Sequence, residues 1–171
     1  MHPDRARWND KYRAGTRRES PSVNLIMHQG RLARGRALDV ACGTGDNAAV
    51  LALAGWRVAA CDVSDEAVAR AAARARELKA DVRVVQADAM RLPFRGPFDL
   101  VVCTWYLERA LAPVLVSLLR PGGTLFFETF TKAPGMRPEW LLEPGEAPRL
   151  FPLEEILHGE TDTTALFIGR R

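Results

Sequence analysis

The residues of this chain best suited to chemistry are Asp39, Gly43, Gly45, Asp62 and Asp88, because each stands within or just beyond a short apolar run. Gly43-Thr44-Gly45 follows the run Leu38 to Cys42. Two glycines so close let the main chain turn sharply and approach a ligand with no Cβ in the way, and the free N–H groups of a following helix favour a polar or anionic group. Asp62 lies 19 positions beyond Gly43. A carboxylate at that distance can accept two hydrogen bonds from a ribose diol, and the bland alternative is a solvated helix cap. Asp88 can accept from a base amino group or simply turn the chain. Gly43-x-Gly45-x-x-Ala48 also fits the dinucleotide fingerprint. Alone, it does not separate a nucleotide site from an ordinary strand–turn–helix corner.

These residues need a scaffold that brings them to one rim. Leu38 to Cys42 shows no polar alternation, as expected of a strand buried on both faces. Asp46 or Asn47 can cap the helix after the glycines, which Val50, Leu51 and Leu53 continue. Trp56 to Cys61 reads as a second strand ending at Asp62, with Ser64 or Asp65 capping an Ala- and Arg-rich helix to Lys79. Val82 to Val85 reads as a third strand and Phe98 to Cys103 as a fourth, followed by a helix over Leu107 to Leu119. Thr124 to Phe130 reads as a fifth strand, and Leu153 to Leu157 and Thr164 to Gly169 as two more, the last antiparallel. This alternation predicts an α/β fold: a doubly wound, mostly parallel sheet of about seven strands, with right-handed crossovers and helices on both faces. Ligands then sit beyond the carboxyl ends of the strands. Cys103, Thr104, Trp105 and Tyr106 fall at the same rim.

Before the first strand, the charged segment Asp4 to Arg18 sets Trp8 and Tyr12 four apart on one helical face. Two large rings on so polar a helix either dock on the domain edge or close over a ligand. Pro21 can start a second helix, capped by Ser20, through Leu25, Ile26 and Leu32 towards Gly35.

Composition bounds the reading. The 171 residues are 47% apolar and 26% charged, the make-up of one soluble domain with a real core. A formal charge of +3, from 24 basic and 21 acidic residues, lacks the footprint of a nucleic-acid or membrane binder. No apolar run is long enough to span a bilayer and no export signal opens the chain, so a cytoplasmic protein is expected. Cys42, Cys61 and Cys103 form no close pair, which argues against a disulfide framework and makes small packing residues the plainer reading than a metal or redox site.

Five motifs stand in register: Leu38-Asp39-Val-Ala-Cys-Gly43-Thr-Gly45; Asp62-Val63-Ser64; Gln86-Ala-Asp88-Ala89 with Leu92-Pro93-Phe94; Phe98-Asp99-Leu-Val-Val; and Leu119-Arg120-Pro121-Gly122-Gly123-Thr124-Leu125. In that order they resemble class I S-adenosylmethionine-dependent methyltransferases of the type 11/12 kind, which are Rossmann-like. Trp8-Asn-Asp-Lys-Tyr12 is similar to the N-terminal helix of the tellurite-resistance and thiopurine methyltransferases. Ala41 departs from the pattern, since a loop glycine often stands there. The resemblance implies a single domain over 1–171, with a helical lid or cap (1–35), a cofactor-binding core (36–131) and a substrate-side loop with the last strands (132–171).

The resemblance also implies roles. Asp39 would orient the loop or the methionine amino group, and Ala41, Cys42, Gly43 and Gly45 would pass beneath the methionine end. Asp62 would hold the ribose, Val63 and Ala89 would flank the adenine, and Asp88 would accept from its amino group. Cys103 and Thr104 would line the floor, and Trp8 and Tyr12 would cover the cofactor. Transfer to the acceptor is an in-line displacement that leaves S-adenosylhomocysteine and needs no covalent nucleophile or metal. Trp105, Tyr106 and Glu108 are the substrate-side candidates. A proton leaving the acceptor can go to Glu108, Tyr106, His28 or His158, with no sequence reason to prefer one.

Where amino-methylating nucleic-acid enzymes carry Asn/Asp-Pro-Pro-aromatic, this chain has Cys103-Thr104-Trp105-Tyr106, so base methylation is disfavoured and a small-molecule acceptor is expected, on a monomer or homodimer. The segment Lys132 to Phe151 is too proline-rich for a long helix and stands where a substrate-facing loop is often inserted. Two other readings compete: a nicotinamide-dependent oxidoreductase using the same glycine loop, and a non-catalytic partner subunit that keeps the S-adenosylmethionine pocket.

Overall fold

The computed structural model describes residues 3–15, 19–32 and 34–171. Thr16 to Arg18 of the charged N-terminal segment, and Ala33 near the end of the expected second helix, lie outside the described residues. The described residues carry seven strands of one mixed sheet, and the chain packs as two compact units, residues 1–95 and 96–171.

The first unit runs α1 (Pro3–Arg13), α2 (Val23–Gln29), β1 (Arg36–Val40), α3 (Asp46–Leu53), β2 (Arg57–Asp62), α4 (Asp65–Glu77) and β3 (Val82–Gln86), then a 3-10 turn over Ala89–Arg91. Its strands are parallel in the order β3-β2-β1, with Val40 beside Cys61 and Asp62 beside Gln86. That register brings the ends of the strands, and with them the acidic residues, to one level. Leu38, Val40, Leu51, Trp56 and Ala60 are at most 1% exposed. Each large side chain so buried contributes about 1.5–3 kcal/mol.

The second unit runs β4 (Phe98–Thr104), a 3-10 turn (Arg109–Leu111), α5 (Ala112–Leu118), β5 (Leu119–Phe130), a second turn (Pro138–Trp140), α6 (Ala147–Leu150), β6 (Glu154–Glu160) and β7 (Thr164–Arg170). Here the order is β4-β5-β7-β6, with β4 parallel to β5 and β7 antiparallel to both its neighbours. Phe127, Phe151 and Phe167 pack in sequence, with centroids 4.8 and 5.7 Å apart, and form the heart of this unit.

Three local expectations are corrected. The second helix starts at Val23, not Pro21, because Ser22 is the residue whose hydroxyl reaches a helical amide, accepting from Leu25 N at 3.0 Å; it ends at Gln29 before Gly30. Neither Asp46 nor Asn47 caps α3, whose N-cap is Gly45 with no side-chain bond. Thr44 Oγ1 donates to the Asp46 carboxylate at 2.6 Å, Arg74 also donates to it, and Asn47 Oδ1 accepts from Ser22 N at 2.8 Å. The helix expected over Leu107 to Leu119 shrinks to α5, since Pro113 fits only a first turn and Leu119 already belongs to β5.

Candidate functional site

In the first unit the chain leaves β1 through three left-handed residues, Ala41 (φ 56°), Gly43 (φ 55°) and Gly45 (φ 75°). Glycine is favoured at the last two by φ, and at Gly45 by space as well. A Cβ on Gly43 would stand 2.8 Å from the Tyr12 hydroxyl, and one on Gly45 would stand 2.8 Å from Ala71 Cβ on α4. Ala41 has no such freedom, and a left-handed alanine costs about 1–2 kcal/mol. Ala41→Gly should therefore raise stability by about 0.5–1 kcal/mol after the added chain entropy of glycine. Urea denaturation checks this, and a lowered midpoint would contradict it.

Asp62 braces the loop from the end of β2. Its Oδ2 accepts from Gly43 N and its Oδ1 from Ser64 N, both at 2.9 Å. Ser64, not Asp65, caps α4, accepting from Ala67 N at 3.2 Å. Asp62 is thus not the cap of the helix, although it orients the residue that is. Asp88 does the turning work foreseen as its bland role, accepting from Met90 N at 2.9 Å at the start of the 3-10 turn that holds buried Ala89. Val63 is half-buried, and its carbonyl accepts from Gln86 Nε2 at 3.1 Å.

Asp39 is the least comfortable group of this unit. It is 1% exposed and neither carboxylate oxygen has a hydrogen-bond partner. Burial first, and then the charges of Asp62 and Asp46, push its carboxyl up to about 8. The Ala48 amide lies close enough to favour the charged form a little, but it does not reach hydrogen-bond geometry. A protonated acid at neutral pH is the physical consequence. Cys42 and Cys61 are pushed up by burial as well, Cys61 to about 12, so neither is a thiolate nucleophile. Among the described residues no group of three or more His, Cys, Asp or Glu is placed to hold a metal.

The helix α1 is fastened to the start of α4 by polar groups. Arg5 makes a bidentate pair with Asp65 at 2.7 Å for each contact, and Asn9 bridges Asp65 and Ser64, donating to one at 3.1 Å and accepting from the other at 2.6 Å. Tyr12 is buried, and Trp8, 6.2 Å from it, lies under Lys11 at 4.6 Å. The helix therefore holds its two rings by hydrogen bonds, a contribution that counting apolar residues overlooks.

In the second unit Cys103 and Thr104 are buried at the end of β4, and Cys103 Sγ lies 3.6 Å from the Tyr106 carbonyl. Trp105 follows in a left-handed conformation (φ 59°), its N–H donating to Glu128 O at 2.8 Å and its ring 4.8 Å from Phe130. A bulky residue held at positive φ costs on the order of 1–3 kcal/mol and gathers at functional sites. Glu108 is exposed and caps the turn that follows, accepting from Ala110 N at 3.2 Å. His28 and His158 are engaged locally, with the Asn24 carbonyl and with Glu160.

Two residues of this unit escaped the sequence reading. Glu128 is 4% exposed on β5, where it read as an ordinary strand position. Arg109 ties the proline-rich segment together, donating to Glu146 at 2.5 and 2.8 Å and to the carbonyls of Glu139 and Leu141. The groove it borders, about 620 Å³, is also lined by Pro138, Glu143, Arg149 and Leu150. The clustering of arginine and glutamate around Pro138 was the one available signal.

The profile of the methyltransferase domain matches residues 37–123, a little over half of the chain and the stretch that contains the glycine loop, Asp62 and Asp88. The chain belongs to the methyltransferase domain family. Among curated relatives, the ubiquinone biosynthesis O-methyltransferase of Azotobacter vinelandii is 35% identical over 119 residues, covering 66% of this chain and 51% of the relative. That of Xanthomonas campestris is 36% identical over 106 residues, covering 58% and 44%. The methyltransferase chain thus spans about half the length of the relatives it matches. Two solved structures show the shared fold. TehB from Haemophilus influenzae has a TM-score of 0.79 at 14% identity, covering 96% of this chain and 67% of its own. Magnesium protoporphyrin IX methyltransferase from Synechocystis, solved with bound SAH, has a TM-score of 0.76 at 16% identity, covering 98% and 97%. No helix among the described residues is long and apolar enough to cross a membrane.

Proposed function

We propose that the chain transfers a methyl group from S-adenosylmethionine to a small-molecule acceptor by in-line displacement, as one methyltransferase domain. The observation that carries the reading is the loop of the first unit. A Gly43-to-Gly45 cradle with left-handed glycines, braced by Asp62, falls inside the stretch that matches the methyltransferase domain. The orphaned Asp39 carboxylate fits a cationic ligand, because a nearby ammonium or sulfonium would relieve the cost of its charge.

In this reading Ala41, Cys42, Gly43 and Gly45 pass under the methionine end, and Asp62 holds the ribose hydroxyls beside its two amide bonds. Val63 and Ala89 flank the adenine, with Asp88 on its amino group, and Trp8 and Tyr12 cover the site. Cys103 and Thr104 complete the donor's surroundings, and Trp105, Tyr106 and Glu108 face the acceptor. Such positioning lowers a barrier by about 7–11 kcal/mol without a covalent intermediate. The O-methyltransferase names of the relatives support an oxygen acceptor of small size.

S-adenosylhomocysteine should raise the melting temperature, corresponding to about 2.7 kcal/mol at a hundredfold excess over Kd, while NAD and NADP should not. The same ligand should slow amide exchange across residues 4–15 if α1 is a lid. Stabilisation by NAD alone would end the methyltransferase reading, and equal exchange with and without ligand would leave α1 a packing element.

A further inference from the structure

We propose that Glu128 is the base that takes the proton from an acceptor hydroxyl, a step that rests on the small-molecule reading above. Residues paired in a parallel register point their side chains to the same side of a sheet, so Glu128 and its partner Thr104 stand side by side where β4 and β5 deliver their carboxyl ends. Phe130, two positions on, shares that face, and the Trp105 ring lies against it at 4.8 Å. The result is a carboxylate and a hydroxyl beside a pair of aromatic rings tilted 37° to each other.

Glu128 interrupts Leu125-Phe126-Phe127 and Thr129-Phe130 with a charge at 4% exposure. Sheet packing alone favours an apolar residue there, and a buried carboxylate is expensive unless polar partners surround it. The strained Trp105 points to the same place. Its N–H donates to the main-chain oxygen of Glu128, so a residue that carries one of the rings and the residue that carries the carboxylate are set against each other by one bond.

An aromatic alcohol packed against the Trp105 and Phe130 rings presents its hydroxyl to this carboxylate. The acceptor O–H bond breaks, the oxygen pair forms the new O–CH3 bond, and the carbon–sulfur bond of the donor breaks with its electrons returning to sulfur. The proton passes to Glu128 and from there to solvent. The step is balanced with no oxidant, reductant or metal.

The test compares Glu128→Gln with wild type on two acceptors, catechol and the more acidic 4-nitrocatechol, with S-adenosylhomocysteine affinity measured alongside. A general base is worth about a hundredfold or more in rate. Glu128→Gln should therefore lower kcat about a hundredfold on catechol, much less on 4-nitrocatechol whose hydroxyl is already partly ionised, and leave S-adenosylhomocysteine affinity unchanged. Equal losses on both acceptors would make Glu128 a structural residue and overturn the proposal while the methyl-transfer reading stands. Wild type methylating neither catechol would overturn the proposal together with the aromatic-alcohol acceptor, and S-adenosylhomocysteine binding would show whether the donor reading survives. If Glu128→Gln does not fold, Glu128→Asp on the same two acceptors must show the same inequality, and equal losses there would refute it.

Discussion

Binding of S-adenosylhomocysteine near pH 7 should release a proton, and the Asp39→Asn variant should release none. The free protein holds the Asp39 carboxyl at about 8, so at neutral pH most molecules carry it protonated. An ammonium group brought near favours the carboxylate and pulls that pKa down, so the proton leaves on binding. Affinity should therefore climb as pH rises towards 8, by up to about tenfold per unit, and level off above it. Titration calorimetry in buffers of different ionisation enthalpy measures the proton count, and a count of zero would remove Asp39 from the ligand's surroundings.

Stability of the free protein follows from the same carboxyl with a definite sign. Its folded pKa lies above the value near 3.9 of an unfolded aspartate, so the folded state keeps the proton longer. The folded state is favoured by the full amount below about pH 4 and loses that advantage as pH rises through about 8. The span is about four pH units at about 1.4 kcal/mol each, so on the order of 5 kcal/mol. Asp39→Asn should be flatter than wild type in urea midpoint across this window.

Asp62→Ala should weaken S-adenosylhomocysteine binding at least about tenfold and also lower the melting temperature. The variant loses two acceptor bonds of a charged group, those to Gly43 N and Ser64 N, each worth about 1.5–3 kcal/mol. Each kcal/mol lost shifts the midpoint of a chain this size by about 2–4 °C. Binding that stays unchanged while the midpoint falls would confine Asp62 to holding the loop and Ser64 in place.

Apolar runs ending at Asp62 and Thr104 made β2 and β4 legible, because a parallel strand buried on both faces needs a hydrophobic stretch and stops where a carboxylate or turn begins. The glycine loop was legible because both glycines sit at positive φ, and Ala71 leaves no room for a Cβ at position 45. The cap of α3 was not, since Asp46 and Asn47 look like caps in one dimension and spend their side chains on Arg74 and Ser22 in three. Helix α5 failed in a similar way. Leu107 to Leu119 has the right periodicity, but Pro113 sets where it can begin. Glu128 was invisible because its meaning comes from Thr104, Trp105 and Phe130, brought near it by strand pairing and ring packing.

The fastening of α1 has a consequence for how entry to the loop responds to its surroundings. Arg5 and Asp65 are 35% and 45% exposed, and the second ion pair of the joint, Arg13 with Glu66, is looser at 3.8 Å. Dissolved ions screen charges in such positions and leave the aliphatic core of β1 and β2 untouched. Ionic strength therefore acts as a dial on this helix: in dilute buffer Tyr12 is held down over Gly43, and concentrated salt eases that hold while the strands and the braced loop keep their shape.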